Sequence, residues 1–310
     1  MATLNHIIEN VPNAFEHTVA VAAAADLAVL EAVSMAIDRK MAKFRLYDDE
    51  SAMTAMMQKH FPRLLNHPRV QLSHVSNVET AAEEAVKSVF GNDSDILMKG
   101  QIATAVLLKA VLNPDYGLRT GLVMSHVAAF EVAGFDRLIF VTDAGMNINP
   151  NLSQKVQIIQ NAVQIAHSVG VEMPVVTPLA GVEVINPNMQ ATLDAAALTA
   201  MNQRGQIKGC IVDGPFALDN AISINAAKHK GIAGDNAGKA DILLVPTIES
   251  GNILYKSLVF FSNAKVGSIV AGAKAPIVLS SRADSAESKL YSLALAICSS
   301  STLGTSIRRN

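Results

Sequence analysis

The sequence predicts an α/β fold whose sheets are mostly parallel, on three observations. Short apolar runs alternate with helix-patterned segments from one end of the chain to the other, the signature of strands joined by crossover helices. Half of the 310 residues are apolar and only 17% are charged, so most of the chain must be buried, and the length suffices for two α/β domains. Tryptophan is absent and alanine abundant, which suits helices packed closely on sheets.

Taken in order, Thr18–Ala23 is a short apolar strand and 26–40 a helix. Strands at 43–47, 70–75 and 95–98 then alternate with helices at 50–60, 79–90 and 101–112. Two strands follow, at 122–127 and 137–142, the second running into TDAGMNINPN. There Asn149-Pro150 offers a cap residue and a proline suited to a first helical turn. Val156, Ile159, Val163 and Ala166 continue at helical spacing. Beyond Gly170 come a strand near Val175, a helix over 189–204 stopped by Gly205, and a strand at 210–212. A helix over 217–229, a strand at 241–245 and a helix at 251–260 complete the alternation. The last helix starts at Asp284, where Asp284 and Glu287 match a capping box ahead of the stripe Leu290, Leu293, Ala294 and Ile297. The turn cluster near 143–150 marks a domain boundary.

Composition excludes several classes. A net charge of −2, with Arg308-Arg309 as its sole basic cluster, gives no electrostatic reason to expect nucleic acid. No run of about 18 uncharged apolar residues is present to span a bilayer, and MATLNHIIENVP does not read as a secretory leader, so a cytoplasmic protein is expected. Cys210 and Cys298 lack a CxxC partner and read as buried structural thiols. No HxH, HExxH or clustered carboxylate spacing points to a metal, and no GxGxxG follows the first strand. In GDNAGKA, Gly234 to Gly238-Lys239 falls one residue short of the Walker spacing. His126 alternates within a strand and reads as a half-buried histidine.

The candidate chemistry lies at strand ends. Ser281 and Arg282 follow an apolar run and precede a helix; the planar guanidinium fork suits phosphate and the serine adds a hydroxyl donor. The alternative reading is a surface arginine beside an ordinary cap. Gly251-Asn252 opening a helix would leave backbone N–H groups free for an anion, with Lys256 one turn on. Taken alone, these three read as a capped helix with a solvated lysine. Asp213 either binds a ligand or finishes a turn. Lys99-Gly100 is another strand end, and it meets Ser281-Arg282 if the C-terminal helix returns to the first domain.

Together these segments resemble the phosphate acetyl/butyryltransferase family, most closely its butyryl branch. The resemblance is carried by LMKG (97–100), NPDYGLRTG (113–121), SHVAAFE (125–131), TDAGMNINPNL (142–152), NPNMQATLDAAAL (186–198), VDGPFALDNAIS (212–223), ADILLVPTIESGNILYKSLVF (240–260) and GAKAPIVLSSRADS (272–285). It covers most of the chain from about Lys99 onward, in the right order. It implies two α/β domains like those of isocitrate and isopropylmalate dehydrogenases with the active site in the interdomain cleft. Residues 1–143 with 285–310 would form one domain and 144–284 the other. It also implies acyl exchange between CoA and phosphate with no metal or organic cofactor; CoA, acyl-CoA and phosphate are then the partners, in a homo-oligomer.

By the same resemblance Ser281 and Arg282 hold substrate phosphate and Lys256 contributes a cation. An arginine of the family falls on Lys109, which loses the bidentate fork. The acidic residue proposed to deprotonate the CoA thiol in acetyltransferases falls on Ser288, so Glu287 is the nearest carboxylate. The catalytic set is thus Ser281, Arg282, Glu287 and Ser288; Lys99, Gly100, Lys109, Arg119, Thr120, Glu249, Gly251, Asn252 and Lys256 are expected to touch phosphate or CoA. The rivals are a phosphate acetyltransferase, a metal- and NAD-dependent hydroxyacid dehydrogenase on the same fold, and a non-catalytic ligand-binding module.

Overall fold

The computed structural model describes residues 3–11, 16–232, 234–280 and 284–307, with side chains through Ser301. Eleven strands and eleven α-helices alternate along the described chain. Contacts divide it into two compact units: Asn5–Leu122 with Gly267–Asn310, here the terminal unit, and Val123–Val266 with Met1–Leu4, the central unit.

The terminal unit begins with α1 (Leu4–Glu9), then β1 (Thr18–Ala22), α2 (Leu27–Asp38), β2 (Lys43–Asp48), α3 (Glu50–His60), β3 (Val70–His74), α4 (Val78–Phe90), β4 (Ile96–Lys99) and α5 (Thr104–Val111). It is completed near the C-terminus by β10 (Lys265–Ala271), β11 (Ile277–Val278) and α11 (Ala286–Ile307). Its strand order is β3-β2-β1-β4-β11-β10, parallel throughout except where β10 meets β11. The helix starts follow from the residues: Asp26, Asp49 and Asn77 each accept an N–H of the following turn. β1 buries Val19 through Ala22 completely, as a parallel strand covered on both faces must. Small residues let α4 lie close, with Ala81, Ala82, Ala85 and Val86 buried.

The central unit carries β5 (Ser125–Glu131), β6 (Ile139–Thr142), α6 (Leu152–Ser168), β7 (Val175–Pro178), α7 (Gln190–Gln203), β8 (Ile211–Val212), α8 (Leu218–Ile222), α9 (Ile224–His229), β9 (Ile242–Leu244) and α10 (Ile248–Phe260). Its order is β5-β6-β9-β7-β8, and only β5 runs antiparallel to its neighbour. Phe130, Ile139, Val141, Leu243, Val245 and Tyr255 share one core cluster. Tyr255 packs edge-on to both Phe130 and His126, so α10 is seated on β5 through this ring.

Several elements depart from the sequence expectation. The stretch 217–229 is two short helices, because Ser223 is extended (φ −127°, ψ 112°) and its hydroxyl caps α9 at Ala226. Asn151, not Asn149, caps α6, in a box closed by Gln154. β5 starts at Ser125, since the N–H of Val123 goes to the Gln157 side chain instead of a strand neighbour. β10 was not anticipated: Gly267 and Ser268 break its apolar run. A Cβ at Gly267 would lie 2.9 Å from the Tyr291 backbone, so the glycine is where α11 crosses the strand. The division between the units falls at Leu122 and Val266, earlier than the expected 143 and 284. The turn cluster at 143–147 is a strand-end loop folded around Asp143, not a linker.

Candidate functional site

In the terminal unit three parallel strands end on one edge. The register Ile277↔Leu97 and Val278↔Met98 lays the end of β11 beside the end of β4, and β4 pairs Lys99 with Ala22 of β1. Gly100 follows: its N–H reaches the carbonyl of Ala22 at 2.8 Å, and a Cβ there would sit 2.0 Å from the Ala23 carbonyl oxygen. Only glycine fits. Lys99 is 2% exposed and donates to the Gly100 carbonyl at 3.3 Å. Ser280, at the exit from β11, is 3% exposed and its hydroxyl has no hydrogen-bond partner among the described residues. Ser281 and Arg282 lie outside the described residues.

The start of α11 differs from the expected box. Ser285, not Asp284, is the cap, its hydroxyl accepting the N–H of Ser288 at 3.1 Å. Glu287 therefore closes no box. It is exposed, and the Tyr291 hydroxyl lies 2.7 Å from its carboxylate and 3.0 Å from Asn5 Oδ1. Ser288 is half-buried. Lys289, which the sequence reading passed over, is 3% exposed and donates to the Asp284 carbonyl at 2.7 Å. Burial pushes its pKa down, against the pull of Asp284 and Asp26.

Of the remaining candidates in this unit, Lys109 is exposed in the last turn of α5 and Arg119 is exposed in the following loop. The Thr120 hydroxyl donates to the Gly272 carbonyl at 2.7 Å, and Lys274 N–H reaches the Leu118 carbonyl, which ties that loop to the turn between β10 and β11.

In the central unit the expected candidates share α10, but not as an opening turn. The helix begins three residues earlier than Gly251, with Thr247 as cap, and the Gly251 N–H is spent on the Thr247 carbonyl at 3.1 Å. It is not free for an anion. Gly251 is needed for close approach instead: a Cβ would meet the Asp143 carbonyl oxygen and Val245 Cγ2 at 2.8 Å. Glu249 is exposed in the first turn, where its own N–H and the Thr247 hydroxyl hold its carboxyl below the usual range. Asn252 and Lys256 are exposed on the same helix. The Lys256 ammonium lies 5.8 Å and 5.9 Å from the ring centres of Tyr255 and Phe260.

Asp143, also passed over in the sequence, is a buried carboxylate at the end of β6. Four of its five donors are backbone N–H groups, which leave no trace in residue spacing, and the fifth is the Asn147 side-chain amide. Asp213 accepts from Asn236 at 3.1 Å. Gly238 of the GDNAGKA segment has φ 81° and presses on the start of α9, where a Cβ would be 2.3 Å from Ile224 N. That glycine closes a turn. Among the described residues no three His, Cys, Asp or Glu side chains are grouped to hold a metal ion, and no helix is long and apolar enough to cross a membrane.

A mostly parallel α/β fold with a glycine-tight strand end beside a buried lysine belongs to the class of α/β proteins that take ligands at the carboxyl ends of their strands. Comparison with known proteins narrows it. Residues 50–297 match the family described as phosphate acetyl/butaryl transferase. The chain is 55% identical to a probable phosphate butyryltransferase of Bacillus subtilis, over 91% of this chain and 93% of that one. It is 48% identical to a phosphate acetyltransferase of Thermotoga maritima, over 89% and 92%. A crystal structure of a branched-chain phosphotransacylase from Enterococcus faecalis is similar at TM-score 0.79 and 34% identity, covering 92% of this chain and 99% of that one. The chain belongs to the phosphate acetyl/butaryl transferase family.

Proposed function

We propose that this chain moves a short-chain acyl group, butyryl or similar, between CoA and inorganic phosphate: butyryl-CoA + phosphate ⇌ butyryl phosphate + CoA. The observation that carries the reading is the strand-end edge of the terminal unit. There the parallel register sets the exit of β11 beside Lys99-Gly100, ahead of the N-terminus of a long helix. Buried cations and a helix N-terminus favour an anion at that edge. The dehydrogenase-like two-domain layout and a cytoplasmic homo-oligomer are part of the same reading.

In the direction of CoA acylation, the thiol sulfur bonds to the carbonyl carbon of the acyl phosphate while the thiol proton passes to a base. The tetrahedral intermediate then expels phosphate. A thiol of pKa about 8.5 is mostly protonated at neutral pH, so proton removal is worth a catalytic group. Glu287 is the carboxylate we assign to it. Arg282 holds the phosphate in line, and Ser281 donates to it or to the developing oxyanion. Each bond formed is balanced by one broken, and no electron leaves the substrates.

The Thermotoga relative supports a second reading, with acetyl as the preferred group. An apolar pocket separates acyl chains by only about 1–3 kcal/mol per methylene, so overlapping use of both is expected. The deciding assay is phosphate-dependent release of free thiol from acetyl-, butyryl- and isobutyryl-CoA, with and without chelator. Faster release from the four-carbon substrates, unaffected by chelator, is expected. Acetyl-CoA roughly tenfold faster would move the assignment to the second reading. Absence of release, with NAD reduction by a hydroxyacid and Mg²⁺, would overturn the class.

A further inference from the structure

β6 ends at Thr142, and the chain then closes on itself around one side chain. The Asp143 carboxylate is 3% exposed. Its Oδ1 accepts the N–H groups of His126, Gly145 and Met146 at 3.1, 2.9 and 3.0 Å. Its Oδ2 accepts the backbone and side-chain N–H of Asn147 at 3.1 and 2.5 Å. Two carboxylate oxygens thus take five donors, which offsets the cost of burying the charge and fixes every residue from 145 to 147.

α10 is seated on this loop at two points. The Ile248 N–H reaches the Ile148 carbonyl at 2.9 Å, and Gly251 closes on the Asp143 carbonyl and Ala144 Cα, where a Cβ would be 2.8 and 2.9 Å away. The first turn and a half of the helix therefore takes its position from the loop. Asn252 and Lys256 follow directly on that helix and face solvent.

We propose that Asp143 is a positioning residue: through the 143–148 loop it sets where α10 presents Asn252 and Lys256 to the CoA or phosphate of the substrate. This rests on the acyl-transfer reading given above. Asp143 itself touches no substrate.

The substitution that tests this is Asp143→Asn, which keeps shape and Oδ1 but turns an NH₂ toward the two Asn147 donors. With folding verified by circular dichroism and assays run well below Tm, KM for CoA or phosphate should rise about 10- to 100-fold, with a smaller fall in kcat. The decisive measurement is a cycle with Lys256→Met. If Asp143 positions Lys256, Lys256→Met costs far less in the Asp143→Asn background than in the wild type. Equal factors in both backgrounds, unchanged constants in folded Asp143→Asn, or no effect of Lys256→Met in the wild type would each overturn the proposal. Should Asp143→Asn not fold, Gly251→Ala displaces α10 from the same loop without touching the carboxylate, and the same KM rise and the same cycle are expected of it. Failure of the acyl-transfer reading is seen separately, as wild type that releases no thiol; the cycle is then read on CoA binding by calorimetry, with the same outcomes.

Discussion

At the end of β4 and in the first turn of α11 the terminal unit buries cations: Lys99 donates to the Gly100 carbonyl and Lys289 to the Asp284 carbonyl. At the strand end of the central unit the buried charge is an anion, Asp143, wrapped in N–H donors. Both ends use a glycine to bring backbones together, Gly100 against Ala22 and Ala23, Gly251 against Asp143. The difference lies in what each end leaves over. A carboxylate holding five donors consumes the positive ends of its own loop, and the polar groups it presents must come from the next helix, as Asn252 and Lys256 do. Lys99 at the end of β4 and Lys289 in the first turn of α11 instead spend their donors on backbone carbonyls, and the phosphate site proposed for this unit builds on that positive charge.

The comparison breaks most directly at Arg282. Arg282→Lys keeps the charge but loses the fork, and we expect a rate loss of about 2–4 kcal/mol with phosphate use hurt more than CoA binding. Near-normal rates at low phosphate would mean that the buried lysines suffice as the anion site. Next is Glu287→Gln, expected to lower turnover about a hundredfold, more than Ser288→Ala and most strongly below pH 8. Because Glu287 shares a hydrogen bond with Tyr291, it also has a structural role. A variant with lowered Tm and an unchanged pH-rate profile would assign it that role alone.

Lys289→Met sharpens the electrostatic side of the contrast. It leaves Asp26 and Asp284 facing a methyl thioether, and a loss of about 1–3 kcal/mol in stability is expected at neutral pH. The Lys289 pKa is lowered from 10.5 on folding, so the folded state binds this proton less tightly than the unfolded chain does. As pH rises through the depressed folded value towards 10.5, wild type should gain stability relative to Lys289→Met. Denaturant midpoints of the two proteins across that window measure it, and a gap that narrows would contradict the burial argument.

The smallest effect is expected at the thiols. Burial pushes both Cys210 and Cys298 up to about 11. At pH 8 only about a thousandth of each is thiolate, and iodoacetamide should leave the folded enzyme active and unmodified while labelling both after denaturation. The folded thiols keep their protons longer than unfolded ones, so this contribution to stability is full below the unfolded pKa and is lost as pH rises towards 11. Rapid labelling of either thiol with loss of activity would point to an exposed or activated cysteine.

Most strands and helices of the terminal unit were legible because apolar runs and helical spacing are local signals; the caps Asp26, Asp49 and Asn77 that set where the helices start were found in the fold. The failures were of another kind. Gly251-Asn252 was expected to open a helix, whereas Thr247 caps one that begins three residues earlier and Gly251 answers to the close approach of Asp143. Asp284 to Glu287 had the right spacing for a capping box, yet Ser285 won the cap one residue later. β10 was hidden by Gly267, a residue chosen for its contact with Tyr291 and not for strand propensity.

The amino-acid sequence by itself determined the alternation of strand and helix, the parallel α/β class and the family, since these rest on periodicity, caps and ordered motifs read within short windows. The tertiary structure alone decided which glycines serve close approach, which cap starts α11, and which charges are buried. Lys289 and Asp143 became visible only there, because most of their partners are backbone carbonyls and N–H groups that folding alone brings into place.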